Sequence, residues 1–206
     1  MPSRADSPPQ DFPDGFRYAP DFLSQSEEQG LLQHISTLPF QQFEFQGYLA
    51  KRRIVAYGWD YDFSSRKAAE TGPIPEYLVP LRRRVAEFAD LDESTLVEGV
   101  VTEYPPGAPT GWHRDVPQFE DVIGVSLASS CRMRFKPCGK ARLKHKKVEW
   151  GTKTKIVSIT LEPRSIYLLR GAARWKWQHS IPAVERLRYS ITFRTLRQKG
   201  EKREAA

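Results

Sequence analysis

From about residue 96 onward, the apolar residues of this chain recur with a period of two. Six short runs carry the pattern, each rich in Val, Ile, Tyr or Phe: LVEGVVTEY, DVIGVSLAS, CRMRFKP, KIVSITLE, RSIYLLR and RLRYSITFRTL. Runs of this kind are typical of β-strands. Before them, helical spacing occurs near residues 24–37, where Ser24 and Glu27 are placed as a capping box, and near residues 76–90. Helices followed by many strands predict an α+β, mainly β fold, with two antiparallel sheets and the helices on one side.

The length and composition fit one domain. A chain of 206 residues that is 39% apolar is large enough to close a single core. Residues 1–15 are rich in Pro, Ser and Asp, and residues 198–206 show no apolar periodicity, so we expect two loose tails. The prediction is one domain over residues 16–197, acting as a monomer.

Charge and cysteine content bear on partners and compartment. A net charge of +7 and a pI near 9.5 suit a polyanionic partner such as nucleic acid. Cys131 and Cys138 are too few for a disulfide framework or a zinc finger. No apolar run has the length of a membrane span, and the first residues lack the apolar core of a signal peptide. We therefore expect a cytoplasmic chain that does not enter a membrane.

His113, Asp115 and His179 are the candidate metal ligands. Alternate residues of a strand project to one side, so His113 and Asp115 would face one metal while Arg114 points away. With His179 from a later strand they would form the two-histidine, one-carboxylate site of non-haem Fe(II) oxygenases. A His-x-Asp tripeptide alone is weak evidence, because most such tripeptides lie on protein surfaces.

The last strand strengthens the hypothesis. In RLRYSITFR, the apolar residues Leu187, Tyr189, Ile191 and Phe193 alternate with Arg188, Ser190, Thr192 and Arg194. If the apolar set packs between sheet and helices, the arginines face the interior and need an anionic partner, because an unpaired buried charge is costly. A dicarboxylate would supply one in bidentate geometry. The alternative is a polar face that is simply solvated.

Three ordered segments resemble the signature segments of one enzyme family. They are EYPPGAPTGWHRD, RGAARWKWQHSI and RLRYSITFR, and together with DFLSQSEEQGLLQHISTLPF, which resembles the family's first helix, they are similar to the AlkB family of Fe(II)/2-oxoglutarate-dependent dioxygenases. The resemblance covers about residues 16–197. It implies a double-stranded β-helix, or jelly roll, with the N-terminal helices packed on one sheet.

The resemblance also implies roles for individual residues. His113, Asp115 and His179 would bind Fe(II), Arg188 would pair with the far carboxylate of 2-oxoglutarate, and Arg194 would support the end that chelates iron. Tyr104 would hydrogen-bond the co-substrate. Thr102 and Ser190 lie at co-substrate positions where family members often have Asn, and their side chains are shorter. Consumption of O2 and 2-oxoglutarate would oxidise a C–H bond, either removing an N-methyl group as formaldehyde or leaving a stable alcohol.

The segment Gln41–Phe63 matches the family's nucleotide-recognition lid in position. It combines the cations Lys51, Arg52 and Arg53 with six aromatic residues: Phe43, Phe45, Tyr48, Tyr57, Trp59 and Tyr61. Cations that hold phosphate and rings that stack a base are features of flipped-nucleotide pockets, and we predict substrate contacts from Arg52, Arg53, Tyr57 and Trp59. The alternative is a strand pair with its rings in the core and its charges in solvent. A second basic stretch, between Lys136 and Lys155, is interpreted as a hairpin that contacts phosphate or as a solvated turn.

One departure from the family bears on the substrate. Members that repair methylated bases usually carry a carboxylate two residues after the ligand Asp, where this chain has Pro117. HRDVPQFEDVIGVSL is more similar to members that act on tRNA wobble uridines or on less defined targets. The prediction is oxidation of an alkylated base in single-stranded DNA or in RNA such as tRNA. The alternatives are a dioxygenase of a protein side chain or small molecule, and an inactive nucleic-acid-binding module. Trp112 and Trp177, which flank the ligands, are interpreted as packing residues.

Overall fold

Twelve strands and three helices make up the part of the chain that the computed structural model describes, residues 11–45, 48–62, 67–138 and 155–197. The strands are β1 (Phe16–Ala19), β2 (Gln41–Phe45), β3 (Tyr48–Asp62), β4 (Lys67–Gly72), β5 (Leu96–Tyr104), β6 (Thr110–His113), β7 (Phe119–Leu127), β8 (Cys131–Pro137), β9 (Val157–Leu161), β10 (Ile166–Leu169), β11 (Trp177–Ile181) and β12 (Arg188–Leu196). The helices are α1 (Gln25–Ile35), α2 (Val79–Ala89) and α3 (Gly171–Trp175). The two tails predicted at the ends lie largely outside the described residues.

Both predicted helices are confirmed. At the start of α1, the backbone N–H of Glu27 donates to Ser24 Oγ at 3.2 Å and that of Ser24 donates to Glu27 Oε2 at 2.7 Å, which completes the capping box. Helix α1 ends earlier than predicted. The hydroxyl of Ser36 donates to the carbonyl of Gln33 and competes with the helical pattern there. Helix α2 follows a 3-10 turn at Glu76–Leu78.

The strands form two antiparallel sheets. The larger has eight strands in the order β1-β10-β7-β12-β5-β3-β2, with β4 paired to β3, and the smaller has four in the order β6-β11-β8-β9. Strand β12 lies between β7 and β5, so the arginine-bearing strand is at the centre of the larger sheet. This is the predicted jelly-roll fold.

Two apolar clusters define the layers. One joins α1 and α2 to the outer face of the larger sheet and includes Ile35, Val85, Ile191 and Phe193. The other lies between the sheets and includes Phe135, Leu161, Leu169 and Ile181. Because residues of β12 alternate between these layers, Arg188, Ser190 and Arg194 face the space between the sheets, as the sequence predicts.

Leu187 departs from the prediction for β12. Its side chain is 43% exposed, because the strand begins only at Arg188.

The predicted lid segment also differs from the expectation. Residues 53–58 of β3 pair directly with β5, so that part of the segment belongs to the larger sheet. The basic stretch between Lys136 and Lys155 lies mostly outside the described residues. Among those described, no helix is long and apolar enough to cross a membrane.

Gly124 allows a tyrosine ring to cross β7. A Cβ added at Gly124 would lie 2.3 Å from Cζ of Tyr167, a buried residue of β10 whose register partner is Gly124 itself. The ring of Tyr167 lies between the two sheets. A side chain at position 124 would therefore displace a ring that helps to fill the interior.

We predict that Gly124→Ala lowers the free energy of unfolding by about 1–3 kcal/mol, the usual cost of overpacking a filled core. The control is Gly30→Ala, in α1, where an added Cβ meets nothing within 4 Å. Alanine is the better helix former, so this control should be about 0.5–1 kcal/mol more stable. Urea unfolding of both variants measures the difference, and equal stability of the two would contradict the packing described here.

Candidate active site

Three side chains from separate segments converge between the sheets. His113, Asp115 and His179 each offer one donor atom, and these atoms all lie within 4.8 Å of one another. His113 and His179 are direct partners across β6 and β11, and their ring centroids are 4.3 Å apart. Asp115 differs slightly from the prediction: β6 ends at His113, and the carboxylate comes from the loop that follows. The donors still meet, in the geometry of a mononuclear metal site.

Each of the two imidazoles has a nitrogen lone pair available for a metal ion. Nδ1 of His113 is 2.9 Å from the carbonyl oxygen of Gly111, which accepts only, so Nδ1 carries the proton and Nε2 has its lone pair free. Burial, assisted by the neighbouring His113, lowers the pKa of His179 to about 3. His179 is therefore neutral at physiological pH, as metal coordination requires.

A buried ion pair positions Asp115. Arg194 Nη2 donates to Asp115 Oδ1 at 3.0 Å, while Nη1 of the same guanidinium pairs with Glu98 Oε2. Burial alone would raise the pKa of Asp115, but the charge of Arg194 holds this pKa far below its usual range. The second carboxylate oxygen of Asp115 is buried and has no hydrogen-bond partner among the described residues. That oxygen is the one free to bind a cation.

A buried arginine holds the loop after Asp115 in place through hydrogen bonds. Arg174 of α3 is 2% exposed, and its Nη2 donates to the carbonyl oxygens of Val116 at 2.7 Å and Phe119 at 2.9 Å. The indole N–H of Trp175 donates to Glu120 at 2.6 Å. The loop that contains Pro117 is thus held by α3, which fixes the backbone on which Asp115 is placed.

A cavity of about 280 Å³ opens beside the three donors. Tyr104 and Thr102 of β5 line it, together with Tyr167 and Arg194, and apolar side chains of Val122, Met133 and Ile181 complete its walls. Pockets that bind small ligands are mostly apolar with a few converging polar groups, and this cavity has that character.

Arg188 lies next to the cavity with part of its hydrogen-bonding capacity unused. The residue is 1% exposed, its Nε donates to Ser126 Oγ at 3.2 Å, and its guanidinium lies 4.7 Å over the ring of Tyr104. Its Nη1 is buried and has no hydrogen-bond partner among the described residues. Ser190, two residues on, is buried opposite Thr102 of β5 and is not among the residues that line the cavity.

The four predicted substrate contacts of the segment Gln41–Phe63 divide between the two faces of β3. Arg52 lines the cavity and donates to the carbonyl oxygen of Pro109 at 3.3 Å. Arg53 points the other way and pairs with both carboxylate oxygens of Glu103. Tyr57 packs against the cluster between helices and sheet, and Trp59 is half-buried away from the cavity lining. Arg53, Tyr57 and Trp59 are not among the residues that line the cavity, because alternate residues of a strand face opposite sides, and their contacts with substrate stay predictions.

Two site residues were missed by the sequence analysis. Glu98 has the same parity along β5 as Thr102 and Tyr104, and is paired in register with Arg194. Tyr167 lies in the apolar run of β10 and lines the cavity. The alternation of side chains along LVEGVVTEY could have predicted that Glu98 faces inward. The strand register that pairs Glu98 with Arg194 could not be predicted, because it depends on residues far apart in the sequence.

Comparisons with known proteins agree with this geometry. A model of the 2OG-Fe(II) oxygenase superfamily matches residues 15–194. The chain is 31% identical over 181 residues to the Alkylated DNA repair protein ALKBH8 homolog of Arabidopsis thaliana, a match that covers 82% of this chain and 51% of that protein. It is 26% identical over 182 residues to the tRNA (carboxymethyluridine(34)-5-O)-methyltransferase ALKBH8 of Mus musculus, covering 82% of this chain and 24% of that protein. The solved structure of OsALKBH1 superposes with a TM-score of 0.61 at 16% identity, over 89% of this chain and 97% of that one.

The chain therefore belongs to the 2OG-Fe(II) oxygenase superfamily. Its similarity to the ALKBH8 proteins confirms the AlkB-type resemblance of its motifs, although the chain spans only about half of the first relative and a quarter of the second. It is a dioxygenase that uses Fe(II), 2-oxoglutarate and O2. The site fits these groups, because Asp115 and Arg188 each present a buried polar atom without a protein partner among the described residues.

We predict that Glu98→Gln weakens metal binding. Without the Glu98 carboxylate, the charge of Arg194 beside Asp115 is less compensated and repels a divalent cation. Losses of outer-shell partners typically cost about 10–100-fold in metal affinity. Titration with Co²⁺ or anaerobic Fe²⁺ measures the effect.

The matched control for this variant is Glu103→Gln. Glu103 is a buried glutamate of the same strand, but it pairs with Arg53 on the opposite face. Its replacement should leave metal affinity unchanged. An equal loss of affinity in both variants would show that general destabilisation, and not the pair with Arg194, is responsible.

We also predict that Arg188→Ala raises the 2-oxoglutarate concentration needed for half-maximal succinate formation by about 10–100-fold, the loss of one charge-assisted contact of about 1.5–3 kcal/mol. Arg186→Ala, an exposed neighbour, should leave this requirement unchanged. An unaltered requirement in Arg188→Ala would mean that another group binds the far carboxylate.

Proposed function

We propose that this dioxygenase oxidises an alkyl substituent on a nucleic-acid base, and that its polymer is RNA, with tRNA as the favoured class. The observation that carries the reaction is the convergence of His113, Asp115 and His179 within 4.8 Å beside a cavity. Support for the polymer comes from the net charge of +7 and from relatives whose names refer to DNA repair and to a tRNA uridine.

In this proposal His113, Asp115 and His179 hold Fe(II), and Arg188 binds the far carboxylate of 2-oxoglutarate. Tyr104 lines the co-substrate space, with Thr102 and the more deeply buried Ser190 contributing small side chains near it. Iron and 2-oxoglutarate supply the capacity to oxidise an unactivated C–H bond with O2, forming succinate and CO2.

The protein's own contribution is to orient the ligands and to exclude water. The hydrogen bond from His113 to the carbonyl of Gly111 fixes the ring tautomer, and Arg194 holds Asp115 in place. Apolar walls limit the water that could intercept a reactive species. Arg52 lines the cavity and interacts electrostatically with Asp115. It is the residue of β3 that we assign to substrate binding.

Pro117 favours a substrate other than the methylated bases of DNA repair. The position two residues after Asp115 carries no carboxylate, and its loop is fixed to α3 through Arg174. A proline offers no side-chain donor or acceptor to a base edge. Recognition of the base would therefore fall to Arg52 and to backbone groups of the loop.

A dioxygenase of a protein side chain or small molecule remains the second candidate, because only Arg52 of the four predicted contacts reaches the cavity. A nucleic-acid-binding module without turnover is the third. The cluster of candidate metal ligands argues against it, since binding alone does not require such a cluster. The monomeric state and the cytoplasmic location stay predictions.

We predict that the wild-type chain, with Fe(II), ascorbate and 2-oxoglutarate, converts an alkylated nucleoside in bulk tRNA, as measured by mass spectrometry of the digested polymer. His113→Ala should abolish the conversion, whereas His34→Ala, an exposed histidine of α1, should not. Methylated single-stranded and duplex DNA are run in parallel. Succinate formation without any nucleoside change in the three polymers would refute the nucleic-acid proposal and favour the second candidate. Absence of both would favour the third.

A further inference from the structure

The smaller sheet carries no acidic residue. None of the strands β6, β8, β9 and β11, with sequences TGWH, CRMRFKP, VSITL and WQHSI, contains Asp or Glu. Along β8, Cys131, Met133 and Phe135 are buried between the sheets. The residues that alternate with them are Arg132, Arg134 and Lys136, which therefore lie on the outer face of the sheet.

Neutral contacts hold these cations in place. Arg132 donates to Ser158 Oγ of β9 at 2.9 Å, and Arg134 donates to Ser180 Oγ of β11 at 3.1 Å. Within the described ranges, neither arginine forms an ion pair, nor does Lys136. No carboxylate of the described residues therefore neutralises their positive charge.

Trp112 connects this face with the cavity. The guanidinium of Arg134 lies 5.0 Å and the ammonium of Lys136 4.6 Å from the centre of the Trp112 ring, so the ring spans β11 to reach β8. Trp112 and the exposed Arg114 also line the cavity. Trp112 is therefore a half-buried residue that packs against two cations, and its predicted packing role stays a prediction.

Arginines elsewhere on the molecule differ in this respect. On the helix side, Arg17 pairs with Asp90, Arg83 with Glu93, and Arg84 with Glu27. These three arginines are compensated by neighbouring carboxylates, whereas, among the described residues, no carboxylate pairs with the cations of β8. An uncompensated row of cations that leads to a cavity is the arrangement expected for tracking a phosphate backbone.

We infer that the outer basic face, made of Trp112, Arg114, Arg132, Arg134 and Lys136, binds the phosphodiester backbone of the RNA whose base enters the cavity. This inference rests on the proposed function for the identity of the polymer. Arg134 and Lys136 contact successive phosphates, and Trp112 holds both side chains along the surface. Contacts with phosphate position the strand without reading its sequence, so the face binds RNA whether or not the base is modified.

The test compares two double variants with wild type for binding to unmodified tRNA, made by transcription, over a range of salt concentrations. In Arg134→Gln/Lys136→Gln, the slope of log K against log salt should fall by about 1.4, at about 0.7 for each lost contact with a flexible strand. The control, Arg17→Gln/Arg83→Gln, removes the same charge from exposed ion pairs on the helix side and should keep the wild-type slope. Uncoupled conversion of 2-oxoglutarate to succinate should be the same in all three proteins.

Three outcomes would count against the inference. An equal fall in the salt slope of both double variants would mean that net charge alone drives binding to tRNA. Wild-type binding by Arg134→Gln/Lys136→Gln would mean that the backbone follows another surface, even if tRNA bases are oxidised. Binding to phosphatidylserine vesicles but not to tRNA would identify a lipid surface. If binding depends on the face but no base is oxidised, the inference stands and the proposed function fails.

Discussion

The positive charge of Arg194, largely buried between two sheets, is the constraint around which this site is organised. An uncompensated guanidinium in such a place would be prohibitively costly, and the structure supplies Glu98 on one side and Asp115 on the other. The first carboxylate comes from the adjacent strand β5, the second from the loop after β6. Arg194 therefore joins the larger sheet to the candidate metal ligands, and the same pairing keeps Asp115 ionised, since it lowers the pKa of that carboxyl.

The apolar layers make this arrangement possible. Ile191 and Phe193 of β12 pack against α1 and α2, which commits the alternate side chains of the strand to the interior. Arg188 is thereby placed against Tyr104 and Ser126 with one nitrogen unused. Helices α1 and α2 thus take no direct part in the chemistry of the site, but their packing decides which face of β12 carries the site residues.

The two sheets supply different side chains to the site. The larger one supplies Arg194, which orients Asp115, and Arg188, which we propose for the co-substrate, and the smaller one supplies the two histidines on its inner face. The smaller sheet carries His113 of β6 and His179 of β11 on its inner face, and the neighbouring strand β8 carries its cations on the outer face. Catalysis and polymer binding would then share one sheet without sharing side chains.

The sequence by itself determined six of the twelve described strands, the capping box at Ser24, the ligands His113, Asp115 and His179 as candidates, and the inward face of β12, because periodicity and residue type act locally. It could not determine which strand lies beside which, or in what register. Only tertiary pairing decided that Glu98 meets Arg194, that His113 stands opposite His179, and that Arg53 and Tyr57 turn away from the cavity while Arg52 lines it. The physical reason is that a shift of one residue in register moves every side chain of a strand to the other face, and long-range packing sets that register.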